Sequence, residues 1–137
     1  MLGETIEMSR EAGPLIVLRF TGRSSDEEFD SYLSEYSKVL AEGARYAAVL
    51  VTTADARMTP IGQARKQARW LADNEAELRR LCAGIAFVLP SPVSRGVYRA
   101  ILKMQSLPMP HMVTAKEDEG RIWAMAQLEA MQRAAEG

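Results

Sequence analysis

The sequence predicts a single α/β domain over residues 1–137, with one mixed, mostly parallel sheet of about five strands flanked by about four helices. Strand-like and helix-like segments alternate along the chain, which favours parallel strands joined by right-handed crossovers. The inner strand candidates are apolar on both alternating faces, as expected when helices cover both sides of a sheet. An opening pair of strand-like segments, joined by a short Gly-Pro turn, adds one antiparallel pair.

The opening hairpin is predicted from segments 5–9 and 15–20, the second of which is a short run rich in strand formers. A helix follows, because two consecutive serines are each succeeded three residues later by glutamate, the pattern of a capping box. Gly43 ends this helix in the position where glycine commonly follows a helix. Its apolar residues recur at helical spacing and form one face: Phe29, Tyr32, Leu33, Tyr36, Val39 and Leu40.

The second helix follows a buried strand over 46–53. Thr59 is its predicted N-cap and Pro60 its first helical residue, since proline is tolerated at that position. Trp70 lies on the side of this helix opposite Ile61, among polar residues. The predicted inner face consists of Ile61, Ala64, Ala68, Leu71 and Ala72.

The last third of the chain repeats the strand and helix alternation. A buried strand lies within 81–89, and Ser91 followed by proline begins the third helix. A short strand at 112–113 precedes the final helix, where Thr114 and Glu117 form a capping-box pattern. The apolar residues of the third helix that recur at helical spacing are Val93, Val97, Ala100, Ile101 and Met104.

The composition narrows the function classes. The chain has 17 basic and 18 acidic residues, so its net charge of -1 gives no electrostatic signature of a nucleic-acid partner. One cysteine excludes an intrachain disulfide and favours a reducing compartment. No apolar run is long enough for a membrane span, and the N-terminus lacks the pattern of a signal peptide. We therefore expect a cytoplasmic protein.

Three segments support a family resemblance. They are the strand Gly84-Ile85-Ala86-Phe87-Val88, the helix start Pro92-Val93-Ser94-Arg95-Gly96-Val97, and the acidic Glu117-Asp118-Glu119 that leads to Trp123. With the order of elements, they resemble the SpoIIAA-like (STAS-like) bacterial domains, whose fold is related to the lipid-binding CRAL-TRIO domains. The resemblance implies a non-enzymatic interaction domain. The phosphorylated Asp-Ser-Ser-Gly-like segment of anti-anti-sigma STAS domains is absent from 52–59.

A candidate ligand site lies at the carboxyl edge of the predicted sheet, where ligands bind parallel α/β proteins. Helix N-termini there present free amide donors that favour an anionic group. In the alternative interpretation, the threonines and serines at this edge only cap their helices. A phosphate on Thr59 would also suit a helix N-terminus. The candidate ligand-binding residues are Asp55, Arg57, Thr59, Ser91 and Arg95.

A candidate interaction surface comprises Lys66, Trp70 and Trp123. An aromatic ring on a polar helix face can mark a partner surface, and Lys66 is spaced to lie across the Trp70 ring. The alternative is that Trp70 packs under a neighbouring helix or loop. The final helix is apolar nearly all round, which indicates burial on more than one side by a second subunit or an apolar ligand. Alternatively, its alanines face solvent as good helix formers.

No residue pattern predicts a catalytic centre, a metal site or a cofactor. His111 is the only histidine, and Cys82 begins an apolar strand as a small buried hydrophobe. We therefore expect a protein partner or a second copy of the chain in a homodimer. The second hypothesis, which the CRAL-TRIO resemblance implies, is a carrier of a small amphipathic or lipid-like ligand. An enzyme is the third.

Overall fold

The protein is described by a computed structural model that covers residues 6–11, 14–22, 24–52, 61–104 and 107–136. The strands are β1 (Ile6–Glu11), β2 (Leu15–Phe20), β3 (Tyr46–Thr52), β4 (Cys82–Val88) and β5 (His111–Thr114). The helices are α1 (Asp26–Ala41), α2 (Ile61–Asp73), α3 (Glu75–Leu81), α4 (Pro92–Met104) and α5 (Glu117–Glu136). None of these helices is both long and apolar enough to cross a membrane.

The five strands form one sheet in the order β1-β2-β3-β4-β5. β1 pairs antiparallel with β2, and the remaining neighbours pair parallel. The predicted mixed, mostly parallel α/β sheet is therefore confirmed. Two elements differ from the prediction: β1 continues to Glu11, through part of the expected turn, and a fifth helix, α3, precedes β4.

Helices α1, α2, α3 and α4 all pack on the same face of the sheet, which we call the first face. The strand order explains this arrangement, because right-handed connections that always advance in one direction leave every connecting helix on one side. Alternate residues of the strands, such as Ile16 and Leu18 in β2, contact these helices. Ser25 caps α1 with Glu28 in the predicted capping box.

The opposite side, which we call the second face, is covered in the described chain by α5. The helix lies close to β4, since a Cβ atom built on Gly120 would be 3.0 Å from a Val88 methyl group. Gly84 of β4 makes room for the Trp123 ring, because a Cβ there would lie 2.9 Å from the ring. Ala124 and Leu128 complete the buried stripe of α5.

The inner face predicted for α2 is wrong for its three alanines, whereas Leu71 packs on the first face as predicted. Ala64, Ala68 and Ala72 are exposed, whereas Gln63 is buried and Trp70 is half-buried. The Gln63 amide donates to the Ser24 carbonyl at 3.1 Å, and Gln67 accepts from the Tyr32 hydroxyl at 3.3 Å. Polar side chains thus face α1 because α1 supplies their hydrogen-bond partners.

The apolar residues that recur at helical spacing in α4 do not all face the sheet. Tyr98 and Leu102 pack on the first face, while Val93 and Ile101 are 75% and 40% exposed. The helix contacts β5, the last strand of the sheet, and no further strand lies beyond it in the described chain. The outer side of α4 therefore has no neighbour to bury it.

We expect Gly84→Ala to lower the free energy of unfolding by about 1–3 kcal/mol, because overpacking displaces the Trp123 ring. The midpoint of urea denaturation measures this loss. Gly96→Ala in α4 is the control: no atom lies within 4 Å of the position that the added methyl group would take, so it should be neutral or stabilising. If Gly84→Ala lowers the free energy of unfolding by as much in a Trp123→Leu background as in wild type, a clash with the Trp123 ring is not the cause of the loss.

Candidate functional site

The carboxyl ends of the parallel strands meet at one edge of the sheet, where the sequence predicts a ligand site. Asp55, Arg57 and Thr59 lie outside the described residues. The structure describes Ser91 and Arg95, and both side chains bind backbone groups of nearby residues at the start of α4. The Ser91 hydroxyl accepts from the Ser94 amide at 3.4 Å, as an N-cap does. These contacts agree with the capping alternative for Ser91.

Arg95 uses its guanidinium at the end of β4. Its Nη1 donates to the Leu89 carbonyl at 2.8 Å and to the Pro90 carbonyl at 3.0 Å. These two bonds satisfy carbonyls that would otherwise face solvent where the strand ends. Arg95 therefore supports the loop that connects β4 with α4, and it brings a positive charge to the start of that helix.

Thr114 is buried, but its partner differs from the prediction. Its hydroxyl donates to Glu119 at 2.7 Å and accepts from the Lys116 amide at 3.3 Å. Glu117, the expected capping-box partner, binds Arg19 and Arg121 instead. Two guanidinium groups attract this carboxylate more strongly than a backbone amide would.

The densest group of charges in the described chain links α5 to the opening hairpin. Arg19 binds Glu117 through two bonds of 2.8 Å, and Arg121 binds Glu117 at 2.9 Å. Arg121 also donates to both carboxylate oxygens of Glu11, at 2.5 and 3.0 Å. The i, i+4 spacing of Glu117 and Arg121 is visible in the sequence, whereas their partners in the hairpin are not.

Mutual pairing determines the protonation of this network. The hydrogen bonds from Arg19 lower the pKa of Glu117 to about 2, with further lowering by Arg121. Hydrogen bonding to Arg121 lowers the pKa of Glu11 as well. Both carboxylates are therefore ionised at neutral pH and held by arginines, an arrangement that stabilises the contact of α5 with the sheet rather than preparing an acid or base.

Trp70 is half-buried against α1, the alternative placement that the sequence left open. Its ring meets Tyr36 edge-on with centroids 5.0 Å apart, and its Nε1 donates to the Ser37 hydroxyl at 2.9 Å. Lys66 pairs with Asp30 of α1 at 2.9 Å. Both side chains thus join α2 to α1, and a role of this surface in binding a partner stays a prediction.

Within the described chain, α5 is buried on one side only, so the burial of its other side by a second subunit or a ligand stays a prediction. Trp123 packs towards the sheet, while Ala126, Ala130 and Ile122 face outwards. Ile122 is 72% exposed and adjoins Trp123 in the sequence. The outward alanines agree with their alternative role as helix formers.

α4 carries exposed apolar residues and a row of basic residues. Besides Val93 and Ile101, it carries the cations Arg95, Arg99 and Lys103, spaced four residues apart. Within the described ranges, no carboxylate forms an ion pair with any of these cations. We call α4 together with β5 the α4–β5 surface. It was not predicted from the sequence, because the spacing of the apolar residues in α4 assigns them to the core.

The single cysteine and the single histidine of the sequence lie in different environments. Cys82 is buried as predicted, and burial raises the pKa of its thiol to about 11. His111 is exposed on β5, with Nδ1 3.4 Å from the Met109 carbonyl oxygen. Among the residues that the structure covers, no three His, Cys, Asp or Glu side chains are grouped in a way that could hold a metal ion.

Comparison with solved structures supports the fold. An uncharacterised protein of the DUF3478 family from Shewanella loihica PV-4, described as having a SpoIIAA-like fold, superposes with a TM-score of 0.66. The match covers 87% of this chain and 91% of that one at 10% identity. The chain therefore has a SpoIIAA-like fold.

A protein of unknown function from Arthrobacter sp. FB24 matches at 16% identity over 90% of this chain and 96% of its own, but its TM-score of 0.27 supports no conclusion. No family model and no curated protein matches the sequence.

We expect the stabilising effect of Glu117 to depend on pH. Its folded pKa of about 2 lies below the ordinary value of 4.5, so its contribution is complete above about pH 4.5 and is lost as the pH falls towards 2. Glu117→Gln should cost about 1 kcal/mol at pH 7, because partial exposure screens the pairs. The difference from wild type should vanish near pH 2 in urea denaturation.

Glu129→Gln is the control for this pH dependence, because Glu129 lies on the exposed side of α5, 3.9 Å from Arg133. The free energy of unfolding of the Glu129→Gln protein should equal that of the wild type at every pH. A Glu117→Gln protein that is as stable as wild type at pH 7 would contradict the assigned role of the network.

Proposed function

We propose that this SpoIIAA-like domain is a non-enzymatic interaction domain of regulatory type, which works by binding another protein through the α4–β5 surface. The observation that carries the proposal is α4, where Val93 and Ile101 are exposed and where Arg99 and Lys103, also exposed, form no ion pair with a described carboxylate. Exposed apolar residues and cations without an ion pair are typical of surfaces that bind a partner.

The environment of the ionisable groups supports a binding role over catalysis. Glu11, Glu117, Arg19 and Arg121 are engaged with one another, and Arg95 is engaged with backbone carbonyls. A general acid or base needs a pKa near the working pH and access to a substrate. The lowered pKa of Glu117 moves that carboxylate away from this range.

A carrier of a small amphipathic ligand is the second candidate. A groove of about 270 Å³ lies between α4 and β5, with apolar side chains beside cations. A ligand with an apolar body and an anionic head would match that lining. The groove is open at the surface, which favours a partner that covers it over a ligand enclosed by it.

A second copy of the chain is also an allowed partner. Ile122 is a large apolar side chain on the outer side of α5, and a homodimer would bury it. The α4–β5 surface is less suited to self-association across a twofold axis, because each copy would bring the same cations.

Native mass spectrometry of the intact protein tests the proposal. We expect an assembly of the chain with a second polypeptide, which Val93→Glu disrupts because a buried, unpaired carboxylate is costly. Ala126→Glu is the matched control, since it adds the same charge at an exposed site of α5. If the partner is a second copy bound through α5, Ile122→Glu should disrupt the assembly instead.

One outcome would contradict an interaction domain, and another would contradict the surface assigned to it. A monomer that retains a small amphipathic molecule would favour the carrier. Loss of the assembly in the Ala126→Glu control to the same extent as in Val93→Glu would show that added charge, rather than the α4 surface, accounts for the effect.

A further inference from the structure

The two edges of the sheet differ in their protection against an additional strand. β1 carries three charged residues among six: Glu7, Arg10 and Glu11. β5 has the sequence His-Met-Val-Thr, without an acidic or permanently basic residue, and in the described chain it pairs only with β4. Charged side chains are a common means of blocking strand addition at an edge, and β5 lacks them.

The backbone of β5 presents hydrogen-bonding groups on its outer side, where no further strand of the described chain pairs with it. The amide of Ile85 in β4 donates to the Pro110 carbonyl at 3.0 Å, and the amide of Leu89, directly after β4, donates to the Thr114 carbonyl at 2.9 Å. Because successive residues of a strand point their backbone groups in opposite directions, His111 and Val113 direct theirs away from β4. These are the groups that a sixth strand would bind.

The groove already described lies along this edge. It is lined by Arg99, Leu102 and Lys103 of α4 and by His111, Met112 and Val113 of β5. Leu102 and Val113 also pack against the core, so the groove combines apolar side chains that are partly buried with the exposed cations Arg99 and Lys103. An added strand would therefore find both backbone partners and a helix beside it.

The charge of this region favours an acidic occupant. Residues 78–116 contain no Asp or Glu. The other basic side chains of that stretch include Arg79 and Arg80, which pair with Glu75 and Glu77 within α3. Arg99 and Lys103 form no such pair with the described residues, so carboxylates of a partner would be their first ionic contacts there.

We propose that β5 accepts an extended acidic segment of a partner protein as a sixth strand. The segment bonds to the backbone of His111 and Val113 and directs the carboxylates of alternate residues towards Arg99 and Lys103 at the groove, while the side chains between them point to the other face of the sheet. This inference rests on the proposed interaction function and names its partner chemistry. A second copy at this edge is disfavoured, because it would bring its own Arg99 and Lys103.

Binding of synthetic eight-residue peptides tests the proposal with the intact protein. By fluorescence anisotropy, a peptide that alternates Asp with Val should bind, and one that alternates Lys with Val should not. The Arg99→Glu/Lys103→Glu protein should lose at least tenfold in affinity for the acidic peptide. Arg65→Glu/Arg69→Glu on α2 changes the net charge equally at exposed residues and should bind as wild type does.

The backbone contacts are tested separately. Of two acidic peptides N-methylated at their odd or their even residues, one should lose at least tenfold in affinity, because methylation removes the amides that face β5. Hydrogen exchange followed by NMR should show new protection of the His111 and Val113 amides on binding. Equal affinity of both methylated peptides, or unchanged exchange at both amides, would overturn strand addition.

The remaining outcomes separate this inference from the proposed function. If wild type does not bind the acidic peptide, or binds phosphatidylglycerol vesicles in its place, the acidic-strand proposal fails. If an assembly that Val93→Glu disrupts is nevertheless present in native mass spectra, the interaction function stands without it. Equal loss of peptide binding in the α2 and α4 charge reversals would overturn the assigned site.

Discussion

The order of the strands in the sheet, which follows their order along the chain, determines on which face each helix packs. The chain moves from β2 to β5 without reversing across the sheet, so its right-handed connections place α1, α2, α3 and α4 on the first face. In the described chain, α5 covers the second face. The close fit of the Trp123 ring over Gly84 shows that this helix lies near the sheet. The arginine and carboxylate pairs at the start of α5 hold it in register with the hairpin.

The same constraint explains where a surface is left for binding. α1, α2 and α3 support one another through aromatic contacts and hydrogen bonds such as Trp70 with Ser37. α4 is the last helix in the row and lies beside the last strand, so its outer side has no neighbour among the described elements. The exposure of Val93 and Ile101 is therefore a consequence of topology, and the exposed cations Arg99 and Lys103 of the same helix are specific to this sequence.

Elements whose boundaries depend on local chemistry could be predicted from the sequence. The capping box at Ser25 and Glu28 and the bounds of β2 both agree with the structure. The faces of α2 and α4 could not be predicted, because they depend on which neighbours lie beside each helix. Gln63 is buried because its amide donates to the Ser24 carbonyl, just before α1, and to the Asp26 carboxylate at the start of α1. No spacing rule within α2 predicts these partners.

The candidate site was predicted less completely than the fold. Ser91 lies at a helix start as expected, while Asp55, Arg57 and Thr59 fall outside the described residues. The absence of acidic residues from 78–116 was a visible signal for the α4–β5 surface. It had little weight without the structure, because only the topology shows that α4 and the edge strand lie together at the border of the sheet.

Hydrogen exchange of the intact protein under native conditions tests most directly whether one helix covers the second face. We predict that the slowest amides of α5, around Ala124 and Leu128, exchange together with those of β3 and β4, since the sheet cannot stay folded when its only described cover leaves. Fast, independent exchange of α5 beside a fully protected β3 and β4 would contradict this dependence of the sheet on α5.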